Sequence, residues 1–187
     1  MEDYKNNYTT QNQTKGNVGL QEFQRIMVGK YRNALIIPIK EHSDIDTYHH
    51  IDCIVCHNNG DCETYDVKNN LTQYLKGLKC FVVELQNNSG NEGSAFGHQK
   101  FFAVMDKDMP HATTTKMFWK YSRTDMLKHL ESKVGLLSEF LLSTYNDGKD
   151  CDEPTPYKKY TRSHEGKRDV TVLVPIEDCK FLTKIEL

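Results

Sequence analysis

Two aspartates and a lysine, Asp52, Asp66 and Lys68, have the types and spacing for phosphodiester hydrolysis. Between them, Asn58-Asn59-Gly60-Asp61 is tight-turn chemistry, because Asn and Gly tolerate the positive φ that hairpin loops demand. A turn centred near Asn59 and Gly60 pairs residues whose numbers sum to about 118, which sets Asp52 opposite Asp66 and Cys56 opposite Cys62. Lys68, two residues beyond Asp66, falls on the same face. Facing carboxylates destabilise a sheet unless a cation compensates them. As hard oxygen ligands they suit Mg²⁺ (or Mn²⁺), which polarises a phosphate and lowers the pKa of a bound water, while the lysine orients that water and offsets charge on the phosphate. On a strand Cys80–Gln86, alternation puts Glu84 and Gln86 on one face, and pairing with the hairpin would add Glu84 to the metal ligands. Glu22, on a first helix, reads equally as a catalytic carboxylate and as a solvated one.

The elements that must position these residues follow from periodicity. Leu20, Phe23, Ile26 and Met27 mark one helix face over Val18–Tyr31, with Gly29 as its stop. Asn33–Ile39, Ile51–Cys56, Cys62–Lys68, Cys80–Gln86, Phe101–Met105 and Met117–Tyr121 read as strands, and Val170–Val174 as the last one. Ser122 or Thr124 caps a helix carrying Met126, Leu127 and Leu130, which Leu136–Tyr145 extends or follows. A helix, a three-stranded meander and mixed elements make an α/β or α+β sandwich.

The wider pattern is Asp46-x-Tyr48-x-His50-Ile51-Asp52, then Tyr65-Asp66-Val67-Lys68, then Val83-Glu84-Leu85-Gln86-Asn87 with Gly90, Gly93 and Gly97. It resembles the signature of the PD-(D/E)XK nuclease superfamily, in particular small phage-encoded members, with Ile51 where the proline of the name would stand and Val174-Pro175 as the closing pair. Asp or Glu, any residue, then Lys occurs six times, but only at Asp66 does it join a strand, a hairpin and an opposed aspartate. The resemblance spans roughly Leu20 to Asp178 and implies a restriction-endonuclease-like αβββαβ core, a central mixed sheet flanked by helices. It implies a Mg²⁺-dependent nuclease acting on nucleic acid, DNA ahead of RNA, in the host cytoplasm if the chain is phage-encoded. Cutting two strands would call for a homodimer. The alternative on the same fold is a catalytically inactive nucleic-acid- or protein-binding module of phage replication, defence or counter-defence.

Other signals carry less. Cys53-Ile54-Val55-Cys56-His57 has the spacing of c-type haem attachment and, with Cys62, suggests zinc, but residues three apart on a strand point to opposite faces. His49 and His50 precede Asp52 closely enough to touch a phosphate, and His50 belongs to the pattern above. Tyr157-Lys158-Lys159-Tyr160-Thr161-Arg162, followed by Lys167 and Arg168, offers cations for phosphates and rings for unpaired bases, or else a charged surface loop. Phe118 and Trp119 read as core.

Composition bounds all of this. The chain has 187 residues, 37% of them apolar, 24 Lys+Arg against 26 Asp+Glu, and a formal charge of -2, so it is neither a polycation nor a disordered chain. Residues 18–187 make one domain after a polar tail over 1–17, with 148–166 as a loop or insertion. Apolar runs such as Ala34–Ile39 fall far short of the roughly 20 residues that cross a bilayer, so no membrane partner is expected. The start of the chain lacks the pattern of a secretory signal, so a cytoplasmic location is expected, with the six cysteines as free, mostly buried thiols.

Overall fold

The computed structural model describes residues 18–41, 43–69, 72–75, 78–87, 89–106, 117–142, 155–164 and 167–187, with backbone alone for 72–75, 160–164 and 167–168. Helix α1 covers residues 18–30 and buries Phe23, Ile26 and Met27 completely, as their spacing requires. It runs past Gly29, where a stop was expected, and ends at Lys30.

After α1 come β1 (Leu35–Pro38), the short helix α2 (Asp44–His49), β2 (Cys53–Cys56) and β3 (Cys62–Lys68). Next are β4 (Thr72–Leu75), β5 (Leu78–Gln86), a 3-10 turn at Ser94–Phe96, β6 (Phe101–Met105) and β7 (Phe118–Ser122). Helices α3 (Arg123–Val134) and α4 (Leu137–Leu142), strands β8 (Lys159–His164) and β9 (Lys167–Pro175), a 3-10 turn at Ile176–Asp178 and β10 (Thr183–Ile185) complete the order. The strands form a six-stranded mixed sheet in the order β1-β2-β3-β6-β7-β10 and a four-stranded sheet in the order β4-β5-β9-β8. The β1-β2-β3 meander is antiparallel and β3 pairs with β6 in parallel.

Alternation along the strands divides the core. Cys53, Val55, Tyr65, Val67, Ala103 and Phe118 pack with α1 on one face of the larger sheet. Its other face, through Phe102, Val104 and Tyr121, meets Phe81, Val83 and Leu85 of β5, Val170, Val172 and Val174 of β9, and Met126 and Leu130 of α3. The molecule is therefore mixed α/β with few helices.

Several expectations need correction. Strand β5 pairs with β4 and β9, not with the hairpin, because its odd-numbered apolar residues face the larger sheet across a core. Within 148–166, read as a loop, residues 159–164 form β8, an edge strand on β9 whose polar sequence hides its extended backbone; 148–154 and 165–166 lie outside the described residues. The final strand is β10, and β9 is longer than Val170–Val174. Asp44–His49, read as a polar connection, is helical under a Ser43 cap. Cys56 and Cys62 are joined by a disulfide, since their register places the two Cα atoms 4.1 Å apart; Cys53, Cys80 and Cys179 are free and buried, as expected. Cys151 and the 1–17 tail lie outside the described residues. Among the described residues no helix is long and apolar enough to cross a membrane.

Candidate active site

The hairpin register inferred from the Asn-Gly turn is the one observed, with Cys53 opposite Tyr65 and Cys56 opposite Cys62. One step past β2, Asp52 N donates to Tyr65 O at 2.8 Å, and Asp52 Oδ2 accepts from Val67 N at 2.6 Å. This bond holds the carboxylate beside β3. Because Tyr65 and Val67 face α1, Asp66 points to the opposite side, between the sheets, where it is fully buried. Lys68 follows on that side, its Nζ 2.7 Å from Asp66 Oδ1. Neither Asp66 oxygen receives a well-aligned hydrogen bond from the described residues.

Electrostatics follow from this burial. Desolvation pushes Asp66 up to about 8; Lys68 pulls it down, and the adjacent Asp52 raises it again. Asp52 is also raised, by burial first, against the opposing pull of Lys68 and the Val67 N–H. Burial works against the Lys68 charge, but Asp66 and Asp52 together outweigh it and hold the ammonium above its ordinary value. The pair of acids is short of positive charge, with one lysine for two carboxylates.

Glu84 stands on β5 of the other sheet and does not join the carboxylate pair through strand pairing; it is near enough only for its charge to act on Lys68 and His50. Its Oε2 accepts from Ser94 N at 3.2 Å. His50 ends α2 in the left-handed region with φ of 53°, which turns the chain back toward Asp52. Burial and Lys68 lower its pKa, opposed by Glu84, Asp46 and Asp52. Tyr48 on α2 is 71% exposed, a large ring left in solvent two residues from His50.

A segment between β5 and β6 ties these parts together; its glycines stand in the sequence pattern, which does not single out His98 or Gln99. Gln99 is fully buried; its Nε2 donates to Ser94 O at 2.6 Å, and its Oε1 has no partner among the described residues. His98 N donates to His49 O at 2.9 Å, and the two imidazoles stack at 4.5 Å. Gly93 and Gly97 are required by close approach: a Cβ on Gly93 would meet Gln86 N at 2.8 Å, and one on Gly97 would meet His49 O and His50 Cβ at 2.9 Å. The spacing of the two glycines was the available signal.

The remaining candidates lie elsewhere. Glu22 is on α1, which covers the other face of the sheet, and its Oε1 is 2.9 Å from Arg25 Nη2. Lys158 is exposed, and Lys159 donates to Leu141 O at 3.1 Å. Arg162, Lys167 and Arg168 sit on the β8–β9 hairpin, with β9 between β8 and β5; their side chains are outside the description. The disulfide takes Cys56 and Cys62 out of any zinc site.

Among the described residues no three His, Cys, Asp or Glu side chains form a ready metal-binding group. Two adjacent carboxylates, one with oxygens lacking aligned donors, nevertheless fit Mg²⁺, which is commonly held by one or two carboxylates with water and phosphate oxygens. The chain matches no protein-family model, no curated protein and no solved structure.

Proposed function

We propose that the protein is a metal-dependent nuclease that hydrolyses phosphodiester bonds of nucleic acid, DNA ahead of RNA. The observation that carries this reading is the buried Asp66 beside Asp52 with Lys68 Nζ at 2.7 Å: two acids and one base where burial opposes charge. Asp52 and Asp66 are the ligands for a divalent cation, which when bound supplies Lewis acidity to a phosphate oxygen. Lys68, held by Asp66, positions water and stabilises charge on the phosphate. Glu84, fixed by Ser94 N–H, adds a carboxylate at the rim, and His50 is placed to donate to a phosphate oxygen.

A restriction-endonuclease-like core is part of the proposal. In its favour are a helix followed by three antiparallel strands, interrupted only by the short α2 between β1 and β2, and the parallel β6 beside the hairpin that bears the acids. The departure is the β3-to-β6 connection, made among the described residues by strands β4 and β5 and a 3-10 turn where that core has a helix.

The test incubates wild type and Lys68→Ala with labelled single- and double-stranded DNA and RNA in Mg²⁺, Mn²⁺ and EDTA. Cleavage by wild type alone, and only with metal, is the expected result. The Asp66–Lys68 ion pair also suits a binding module in which Lys68 is a counter-ion and no more; binding by both proteins with no cleavage by either would move the assignment there.

A further inference from the structure

At the far end of the β2–β3 hairpin from Asp66, the α1–β1 turn and the hairpin turn border an open cleft of about 460 Å³ lined by Lys30, Tyr31, Arg32, Ala34, His57, Asn58 and Asn59. We propose that this cleft binds a nucleotide, its phosphate on Lys30 and Arg32 and its base against Tyr31 and His57, either free or as part of a single strand. The volume falls in the range typical of small-ligand sites.

Charge supports an anion here. Among the described residues neither Lys30 nor Arg32 has an ion-pair partner. Both sit at the C-terminus of α1, whose dipole is worth roughly half a negative charge, so two full cations leave a surplus of more than one. Two acids touch lining residues, and both are engaged: Glu63 by Lys120 Nζ at 3.0 Å, by Tyr65 Oη at 2.5 Å and by His57 Nε2 at 3.4 Å, and Asp61 by Asn59. Asp61 is not itself among the lining residues, and its Oδ2 accepts from Asn59 Nδ2 at 2.6 Å.

Shape supports an aromatic group beside that anion. Tyr31 and His57 stand edge to face with ring centroids 5.0 Å apart, an aromatic corner against which a base can pack. The corner is held in place: Asn58 Nδ2 donates to Arg32 O at 3.4 Å, joining the two turns, and the Cys56–Cys62 disulfide closes the loop that carries His57, Asn58 and Asn59. Such pre-organisation lowers the ordering cost of binding.

This proposal stands apart from the nuclease reading and survives its failure. The full chain, in EDTA so that no substrate is cut, is titrated with AMP, adenosine, inorganic phosphate and a short oligothymidylate, followed by ¹H–¹⁵N shifts and calorimetry. AMP or the oligonucleotide should shift residues 30–34 and 57–61, with adenosine and phosphate at least tenfold weaker than AMP. Lys30→Gln/Arg32→Gln, at exposed positions, should weaken binding at least tenfold with unchanged Tm. AMP binding without the oligonucleotide identifies a free nucleotide as the ligand, and the reverse identifies a strand. No shift from either probe at millimolar concentration, or equal affinity in the double variant, overturns the site.

Discussion

Lys68 Nζ lies 2.7 Å from Asp66 Oδ1, and that contact is the main neutralising interaction of a fully buried acid that also faces Asp52. The sign of the resulting pH dependence is fixed. Asp66 moves from an ordinary 3.8 up to about 8 on folding, so between those values the folded chain holds the extra proton. Stability is therefore fully present below the lower value and declines as pH rises through the upper one, by at most about 1.4 kcal/mol per pH unit. Asp52, raised too, acts in the same direction. In EDTA, Tm should fall from about pH 5 to about pH 8, and Asp66→Asn should flatten the slope. On the proposed metal site, Mg²⁺ should restore Tm at the alkaline end, because binding to the folded pair would offset the loss. A Tm rising across that interval in EDTA would contradict the buried dyad.

On the nuclease proposal, Lys68→Ala should lower cleavage by at least about a hundredfold, because it removes the cation assigned to the phosphate, while affinity in EDTA changes little. Lys68→Arg keeps the charge but not the geometry, and an intermediate rate is expected. Full activity of the alanine variant in single-turnover assays would remove Lys68 from the chemistry.

Tyr48 is 71% exposed on α2, two residues before His50, so truncation should leave Tm unchanged. If single-stranded bases stack on it, Tyr48→Ala should weaken anisotropy-measured affinity by about 5- to 100-fold, with Tyr48→Phe close to wild type. Equal affinities for all three proteins would assign the ring no part in binding.

Gly97→Ala should destabilise the fold by about 1–3 kcal/mol, because the new methyl has to displace the Gln99 amide or the His49 backbone. Chemical denaturation measures this directly. The same variant should reduce cleavage by shifting His50. Stability equal to wild type would mean the segment has more room than the packing indicates.

Reduction of Cys56–Cys62 opens a short loop and should cost about 2 kcal/mol. Alkylation followed by peptide mapping checks the bond itself: the peptide that spans the hairpin should gain two labels only after reduction. Labelling of both residues without a reductant would show the thiols free.

The hairpin was legible because Asn58-Asn59-Gly60-Asp61 fixes both turn and register, and with them the Asp52–Asp66 juxtaposition. Glu84 shows where that reasoning stops. Alternation assigns a residue to a face of its strand but not the strand to a sheet, and β5 joins β9, about ninety residues later in the chain. Helix α2 escaped detection because Asp44–His49 has no apolar period, and none of its residues is buried. For Cys56 and Cys62 the pairing was visible, but the expected compartment argued for thiols. Gln99 depends on a tertiary turn around Gly97, which local pattern does not encode.

The order in which the chain visits the two sheets has a mechanical consequence. It lays down β1 to β3 in the larger sheet, crosses for β4 and β5, returns for β6 and β7, crosses again for β8 and β9, and comes back for β10. Each sheet is thus stitched from separated stretches of one thread, and any single cut between β1 and β10 divides the larger sheet. Unfolding should be one cooperative event for both layers, and refolding should be slow for a chain of this size, because the parallel β3–β6 seam closes only after the intervening strands have found their places.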